Sequence, residues 1–382
     1  MKPVSQQYEL VFLNLLHSAL WGAKYEVQED FEEWEDLIRL SRDQSVLGMI
    51  AKVILLNRSQ VDHLPTQLRL KLKSFVVSNV MVNDKMKKII ASVFGALREN
   101  DIPAILLKGY GLSVNYPYPQ LRQNGDIDIY IGEELYLDSY RVLKKLADEI
   151  DSETTIWKSK HYHATIDEVV VEVHRFCEVL PIKRYNRFFQ SFAFQGMSES
   201  ISISESDIDV KIPEVTFNSL YILVHLFSHF MTEGVGIRQL CDWTMHLSKN
   251  WKQINVNMLA DMLDKLNIRR AWNIFAEISV TYLGYPEDSM PLYEGYDDKT
   301  RRRAEIVLEM ILKEGNFGHA SPYYQKKISG FFLRKLYSIS WHIRRDFKLF
   351  RIFPDYTLGY FTYILRRGAS SISDHFRKSY GR

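Results

Sequence analysis

Two aspartates one residue apart, Asp126 and Asp128, are the residues whose spacing points most directly to chemistry. Residues 126–131 alternate polar and apolar side chains, which is the period of a half-buried β-strand. The three isoleucines of this segment then enter a core together, and the two carboxylates share the opposite face. Like charges held this close repel each other, and a divalent cation with further oxygen ligands from substrate phosphates relieves the repulsion. The alternative is a strand whose outer face merely carries two aspartates.

Upstream, Lys108 and Gly109 follow a short apolar run at residues 105–107. The run predicts a buried strand, and residues 111–114 predict a helical turn after it. Backbone N–H groups that open a helix, beside a lysine and a glycine, form a cradle for phosphate. The GxxxxGK[ST] pattern of a P-loop is absent. An ordinary turn is the alternative to a phosphate site here.

Residues 161–166 and 169–174 predict the two strands of a hairpin. The two residues between them, Asp167 and Glu168, lack the glycine of the favoured tight turns, so the geometry of this loop stays undecided. In the second strand Glu172 and His174 lie on one face and two valines on the other. A solvent-facing glutamate on an edge strand is the alternative to a role in a site.

Residues 107–131, LKGYGLSVNYPYPQLRQNGDIDIYI, are similar to the signature of a bacterial uncharacterised nucleotidyltransferase family within the DNA polymerase beta-like superfamily. The matching positions are Leu107-Lys108-Gly109, Tyr116-Pro117, Arg122 and Gly125-Asp126-Ile127-Asp128. The superfamily more widely has Gly-Ser before its carboxylate pair. Here Lys108-Gly109 stands in that place at a longer spacing, so the metal ligands match the pattern better than the triphosphate contacts do.

This resemblance implies a metal-dependent enzyme of the EC 2.7.7 type. It moves an NMP group from an NTP substrate to an acceptor hydroxyl or phosphate and releases pyrophosphate. The superfamily requires a third carboxylate on a neighbouring strand, and Glu172 followed by His174 resembles its acidic-hydrophobic-His motif. The implied catalytic residues and ligands of Mg²⁺ or Mn²⁺ are Asp126, Asp128 and Glu172. The implied nucleotide-binding residues are Lys108, Gly109, Arg122, Gly125 and His174; for His174, orienting the acceptor or Glu172 and a structural role stay open.

A second block, residues 221–243, resembles another conserved segment of the same family. His225 and His229 lie four residues apart, on one face of a predicted helix. The segment lacks the glutamate of HExxH, which disfavours a zinc protease and favours a core or hydrogen-bonded pair. Arg238 and Asp242 are also four apart. The resemblance thus covers about the central half of the chain and leaves the role of this block open.

The elements that position these residues suggest an α+β fold, with a small mixed sheet between helical regions. Apolar residues recur every three or four positions through residues 1–100, and residues 85–99 predict an amphipathic helix beside the first strand. A further helix is predicted at residues 133–150. We expect an N-terminal helical region at 1–82, a catalytic core at 83–180 and a mainly helical region at 181–382. A second Asp-Ile-Asp, at residues 207–209, has no preceding glycine or lysine and is expected at the surface.

The composition is that of an ordinary globular protein of 382 residues, with 46% hydrophobic and 25% charged residues. The two cysteines are too few for a disulfide framework or a zinc cluster, which suits a reducing cytoplasm. We find neither a signal peptide nor an apolar run long enough to cross a bilayer. We therefore expect a cytoplasmic protein.

The C-terminal segment from residue 326 is basic, with 13 Lys and Arg against 3 Asp, and is rich in aromatic residues. Such a segment could make peripheral contact with an anionic membrane or bind a nucleic-acid backbone. Alternatively, it is a terminal helix that packs its aromatic side chains inward and its charges outward. We favour the third. The oligomeric state stays open.

Two other functions remain open beside nucleotidyl transfer. One is a non-catalytic nucleotide- or partner-binding module, of the toxin–antitoxin or nucleic-acid-binding kind. The other is modification of nucleic-acid ends, which depends on the C-terminal charge alone. Three carboxylates that repel one another argue against a pure binding module. Because members of the family are often found among bacterial surface-polysaccharide genes, the resemblance favours a sugar or glycan-related acceptor, and the base and acceptor are otherwise open.

Overall fold

The computed structural model describes residues 6–57, 61, 64–157, 159–205, 208–295, 297–320 and 331–362. It has the expected α+β architecture, a mixed sheet flanked by helical N- and C-terminal regions. The first helices are α1 (Gln7–Trp21), α2 (Trp34–Asp43), α3 (Leu47–Leu56) and α4 (Thr66–Glu99). The predicted helix at residues 85–99 is thus the second half of α4, a single helix of 34 residues.

The described part of the chain contains a sheet of seven strands. In chain order these are β1 (Ile105–Leu106), β2 (Asp126–Tyr130), β3 (Glu149–Ile150), β4 (His161–Ile166), β5 (Val169–His174), β6 (Ile201–Glu205) and β7 (Ile208–Ile212). Their order across the sheet is β3-β4-β5-β2-β1-β7-β6, and the β2–β5 and β1–β7 pairs are parallel while the rest are antiparallel. The sheet includes residues 201–212, which the predicted core boundary at residue 180 leaves out.

The apolar face of the sheet packs on α4 and on α6 (Tyr136–Leu143), which follows the short helix α5 (Tyr110–Ser113). As predicted, the isoleucines of β2 are buried; Ile127 and Ile129 are 1% and 0% exposed. They lie in one core cluster with apolar residues of the second half of α4, such as Ile90 and Val93. The alternating pattern of β2 therefore divides an apolar face from a polar one.

One local prediction was wrong, and the structure decides the geometry of one loop that the sequence left undecided. The helix predicted at residues 133–150 ends at Leu143, because Glu149 and Ile150 extend to pair with β4, and Leu146, expected inside, is 37% exposed. The loop between β4 and β5 is tight, since Ile166 pairs directly with Val169. Its two residues both adopt positive φ, 47° and 64°, which is the backbone of a two-residue hairpin turn built without glycine.

Strands β6 and β7 form an antiparallel hairpin, and Ile208 and Asp209 of the second Asp-Ile-Asp belong to β7. Asp207 itself lies outside the described residues, so its expected surface position stays a prediction. The hairpin joins the sheet through β7, which pairs with β1 at Ile105 and Lys211.

Further α-helices follow α6 along the chain. They are α7 (Glu153–Ile156), α8 (Lys183–Ser198), α9 (Val215–Thr232), α10 (Ile237–Asn250), α11 (Val256–Lys265), α12 (Arg269–Thr281), α13 (Asp298–Glu314) and α14 (Phe331–Ile352). Apart from α7, which lies between the strands β3 and β4, they follow the hairpin strand β5 in the chain. The N-terminal and C-terminal helices share one hydrophobic core. Gln44, after α2, joins them directly: its amide donates to the Ile311 carbonyl at 3.0 Å and accepts from the Ile237 N–H at 2.7 Å.

Candidate active site

The polar face of the sheet brings together residues from three neighbouring strands. Asp128 on β2 is in register with Glu172 on β5, which is in register with His163 on β4. Side chains in register across adjacent strands lie side by side on one face. One carboxylate oxygen from each of Asp126, Asp128 and Glu172 lies within 4.8 Å of the others. The parallel β2–β5 pairing is therefore what gathers the three predicted carboxylates.

Asp128 is fully buried and is held by two basic groups. The Lys108 ammonium lies 2.6 Å from Asp128 Oδ2, and His174 Nε2 lies 2.9 Å from Asp128 Oδ1. Burial by itself would raise the pKa of Asp128, but Lys108 and His174 lower it well below its usual range. Burial lowers the pKa of His174, but the carboxylates of Asp128 and Glu172 raise it, and the net shift is upward.

Asp126 has the same charge in a different setting. The charge of Asp128, and then burial, raise the pKa of Asp126. In the described part of the chain Asp126 makes no ion pair within 4.0 Å. A carboxylate crowded by two others, in a cleft of oxygen donors, fits a hard divalent cation such as Mg²⁺ or Mn²⁺.

Glu172 lies among histidines. Its Oε1 is 3.3 Å from His163 Nε2 and its Oε2 is 3.4 Å from His174 Nε2. Burial raises the pKa of Glu172, but the hydrogen bond from His174, together with the charges of Lys108 and His174, outweighs it, and the net effect lowers the pKa to about 2. His163 Nδ1 in turn lies 2.9 Å from Asp151 Oδ2. Sequence analysis missed His163 and Asp151, although the period-two pattern of β4 places His163 on the same face as Glu172.

Gly109 has the conformation and surroundings of a close backbone approach. Its φ is 69°, and a Cβ there would lie 3.4 Å from the Asp126 carbonyl oxygen and 3.9 Å from Asp128 Oδ2. A side chain would be strained at this φ. Gly125 differs, because a Cβ there would meet nothing within 4 Å.

Arg122 lines the same cleft but is only 2% exposed, and its guanidinium is committed to Asp242 on α10. Its Nε lies 2.7 Å from Asp242 Oδ1 and one terminal nitrogen 2.6 Å from Oδ2, which is a bidentate pair. The Tyr116 hydroxyl donates to the same Oδ1 at 2.7 Å. The predicted phosphate contact of Arg122 therefore competes with a buried ion pair that joins the sheet to the helical region.

The cleft over the carboxylates has a volume of about 520 Å³. Its sheet side carries Lys108, the carboxylates and the segment before β2, and its opposite wall comes from the helical region. The lining residues of that wall include Ile222, His225 and Leu226 on α9, Arg238 and Asp242 on α10, and Asn316 and Phe317 after α13. The second sequence block thus forms part of the site.

His225 on this wall lies within hydrogen-bond distance of a buried carboxylate. Its Nδ1 lies 3.2 Å from Oε2 of Glu178, which is 6% exposed and follows β5. Burial and the neighbouring His229 lower the pKa of His225 to about 3, so its imidazole is neutral near pH 7. The Lys160 ammonium lies 3.6 Å from Glu178 Oε1. His229 stacks edge-on against His225 with ring centroids 4.4 Å apart.

Comparison with known proteins adds one finding. The model of a family described as uncharacterised nucleotidyltransferase matches residues 30–284. No curated protein and no solved structure matches the chain. Within the described residues, no helix combines the length and the apolar character needed to span a membrane.

Proposed function

The chain belongs to the uncharacterised nucleotidyltransferase family, and from this premise we propose that it transfers an NMP group from an NTP to an acceptor hydroxyl or phosphate in a metal-dependent reaction. The observation that carries the proposal is the cluster of Asp126, Asp128 and Glu172 on two parallel neighbouring strands. Lys108 and His174 compensate Asp128, and His174 contacts Glu172, but the charge of Asp128 raises the pKa of Asp126 and leaves a place for a cation. The cluster opens to a cleft with room for a nucleotide.

Asp126, Asp128 and Glu172 would hold Mg²⁺ or Mn²⁺. When bound, the metal supplies charge neutralisation for the triphosphate and lowers the pKa of the acceptor group. His174 keeps Asp128 and Glu172 in place, since its Nε2 lies within 3.4 Å of an oxygen of each.

The protein's own groups bind and orient the phosphates. Lys108 lies at the entrance to the helical turn α5 and brings a positive charge to the cleft beside Gly109, where the backbone can approach a phosphate. Gly125 leaves open space in front of the strand that carries the aspartates. Arg122 contributes its charge to the cleft while its pairing with Asp242 holds the segment before β2 against α10.

The acceptor and the cellular setting are part of the proposal. A sugar or glycan-related acceptor in surface-polysaccharide metabolism agrees with the family resemblance. A cytoplasmic location agrees with the need for NTP and with two buried free thiols, Cys177 and Cys241.

The test is to incubate the protein with each of the four NTPs, labelled at the α-phosphate, together with Mg²⁺ and a cell extract. Mass spectrometry then identifies the labelled product, and a coupled assay measures pyrophosphate. We expect label transfer and pyrophosphate release that EDTA abolishes. NTP binding without turnover on any acceptor would instead favour the non-catalytic binding module. A salt-sensitive transfer to RNA or DNA ends would identify nucleic acid as the acceptor.

A further inference from the structure

Two side chains of opposite charge line the cleft without an ion pair among the described residues. They are Asp126 on β2 and Arg238 on α10. Their charged neighbours do form ion pairs, Asp128 with Lys108 and Arg122 with Asp242. The charges within the cleft therefore leave one anion and one cation available to a ligand.

Among the described residues, the guanidinium of Arg238 makes one hydrogen bond. One terminal nitrogen donates to the Gln123 carbonyl at 2.9 Å, which fixes the side chain against the segment that leads into β2. Its Nε–H is buried and has no acceptor in the part of the chain that the structure describes. Burial, and then the nearby charge of Arg122, lower the pKa of Arg238. Buried cations in proteins are normally paired, because an unpaired one loses its hydration without compensation.

We propose that Arg238 binds the polyphosphate of the metal–nucleotide complex that the proposed function requires. Such a complex carries both charges that the cleft lacks: its cation meets Asp126 and its anion meets Arg238. The planar fork of arginine suits two phosphate oxygens at once, which a point charge such as lysine does not. The ligand then bridges the sheet and the helical region. The proposal rests on the proposed function, since it assigns the phosphate end of the same cleft.

A purely structural role for Arg238 predicts different behaviour. If its bond to the Gln123 carbonyl mattered mainly for the fold, Arg238→Ala would unfold at a lower temperature than the wild type. If the guanidinium serves a ligand, its removal relieves a half-buried charge with an unpaired Nε–H, and the ligand-free variant unfolds at an equal or higher temperature. The thermal shift caused by ligand would then be smaller in the variant.

The experiment is isothermal titration calorimetry of the full chain and of Arg238→Ala and Arg238→Lys. The probes are the Mg²⁺ complexes of the four NTPs and inorganic tripolyphosphate. Arg269→Ala is the matched control, because Arg269 is paired with the exposed Asp264 outside the cleft. We expect Arg238→Ala to weaken binding of both probe types about 10- to 100-fold, as loss of charge-assisted hydrogen bonds does. Arg238→Lys recovers part of the loss, and the control binds as the wild type does.

The outcomes separate this inference from the proposed function. If the wild type and Arg238→Ala bind Mg²⁺–NTP equally, the inference is wrong and nucleotidyl transfer still stands. If the wild type binds no NTP, the proposed function is wrong, and tripolyphosphate then decides the inference alone. Binding of tripolyphosphate that depends on Arg238 supports it, whereas absent or Arg238-independent binding overturns it.

Discussion

Asp126 and Asp128 occupy one strand face, yet their surroundings give them different tasks at the scale of single residues. Asp128 is neutralised by Lys108 and His174 within the folded protein, whereas Asp126 faces the cleft with its neighbour's negative charge beside it. The free protein therefore carries a repulsion that a bound cation removes. Activity and stability should respond in opposite directions when this repulsion is relieved.

We predict that Asp126→Asn lowers transfer more than about 100-fold, because even residues that only support metal ligands cost 10- to 100-fold. The raised pKa of Asp126 means that its ionisation destabilises the folded state above the ordinary pKa of the group, so the neutral amide should raise Tm in EDTA. Thermal unfolding with and without Mg²⁺ measures both effects. Asp138→Asn, in an exposed pair with Arg141, is the control. A lower Tm for Asp126→Asn in EDTA would contradict the prediction.

Glu172→Gln tests the third carboxylate. The amide keeps the size of the side chain and its contacts with His163 and His174 but loses the charge. We expect kcat to fall at least about 10-fold while KM for the NTP changes little, because Glu172 acts where the acceptor oxygen becomes nucleophilic. Lys108→Ala is the comparison, and we expect a higher KM there. Since Lys108 also neutralises buried Asp128, that variant should be less stable as well. Unchanged kcat in Glu172→Gln would remove Glu172 from the site.

At the scale of elements, the site depends on two contacts that hold helices α9 and α10 against the sheet. One is the bidentate pair between Arg122 and Asp242, and the other is the hydrogen bond between Glu178 and His225. Each joins a residue near the sheet to a helix of the second sequence block. Their loss should therefore open the cleft or destabilise the fold.

Asp242→Asn should lower the free energy of unfolding by about 3–5 kcal/mol, because it leaves the buried Arg122 guanidinium without its counter-charge. The control is Asp264→Asn, which breaks an exposed pair with Arg269 and should cost less than about 1 kcal/mol. Chemical denaturation of the two variants measures the difference. Replacing both partners, as Arg122→Met with Asp242→Leu, should recover part of the loss. Equal effects of the two aspartate variants would show that the buried pair does not hold α10.

The pKa of His225, lowered to about 3 in the folded protein from an ordinary value of 6.5, makes stability depend on pH. Between these values the unfolded chain binds a proton that the folded chain does not, so stability falls as pH falls through this window. The slope is at most about 1.4 kcal/mol per pH unit. The lowered pKa of Glu178 adds a loss only below about its ordinary value of 4.5.

We predict that His225→Gln flattens the stability curve between pH 6.5 and 4.5 relative to the wild type. Glutamine can still donate to Glu178 but does not titrate. Denaturation curves at several pH values test this, and the difference between the two proteins isolates His225 from the other histidines. Parallel curves would contradict the prediction, because they would mean that folding does not change the pKa of His225. The charged or titratable groups around His225 are Glu178, His229 and Lys108.

At the scale of the whole molecule, the chain after α13 packs against α9, which lines the cleft. Arg345 on α14 is 4% exposed, pairs with Glu314 at 2.9 Å and donates to the carbonyl of Met231 at the end of α9. The Tyr360 hydroxyl donates to the hydroxyl oxygen of Ser228, which also lies on α9, at 2.9 Å. The aromatic residues Phe353, Tyr356 and Tyr360 are core residues, which agrees with the favoured interpretation of an inward-packed terminal helix, whereas Phe347 and Phe350 on α14 are 72% and 46% exposed.

This packing changes what a C-terminal deletion should do. Deletion after residue 354 removes Tyr356 and Tyr360, which are 3% and 2% exposed, so we expect a loss of about 3–5 kcal/mol or more in stability. Deletion after residue 362 is the matched control and removes only residues outside those described, among them four Arg and one Lys. We expect the control to keep Mg²⁺-dependent NTP binding and to bind anionic vesicles less at low salt. Thermal unfolding and vesicle co-sedimentation measure the two effects. Equal vesicle binding by the control and the full chain would exclude a membrane role for the tail.

The amino-acid sequence by itself determined the strands β2, β4 and β5 and the alternation of polar and apolar side chains along them. It also determined that the N-terminal and C-terminal regions are helical. These features depend on local periodicity, which is readable within ten residues. Only the tertiary structure decided the contacts between residues that are far apart in the sequence. These are the parallel register of Asp128 with Glu172 and the ion pair of Arg122 with Asp242, which lies 120 residues later. The position of Arg238 in the cleft also depends on tertiary structure, because it follows from the packing of α10. Arg122 illustrates the limit, because its sequence position suits a phosphate contact while burial beside a carboxylate commits its donors elsewhere.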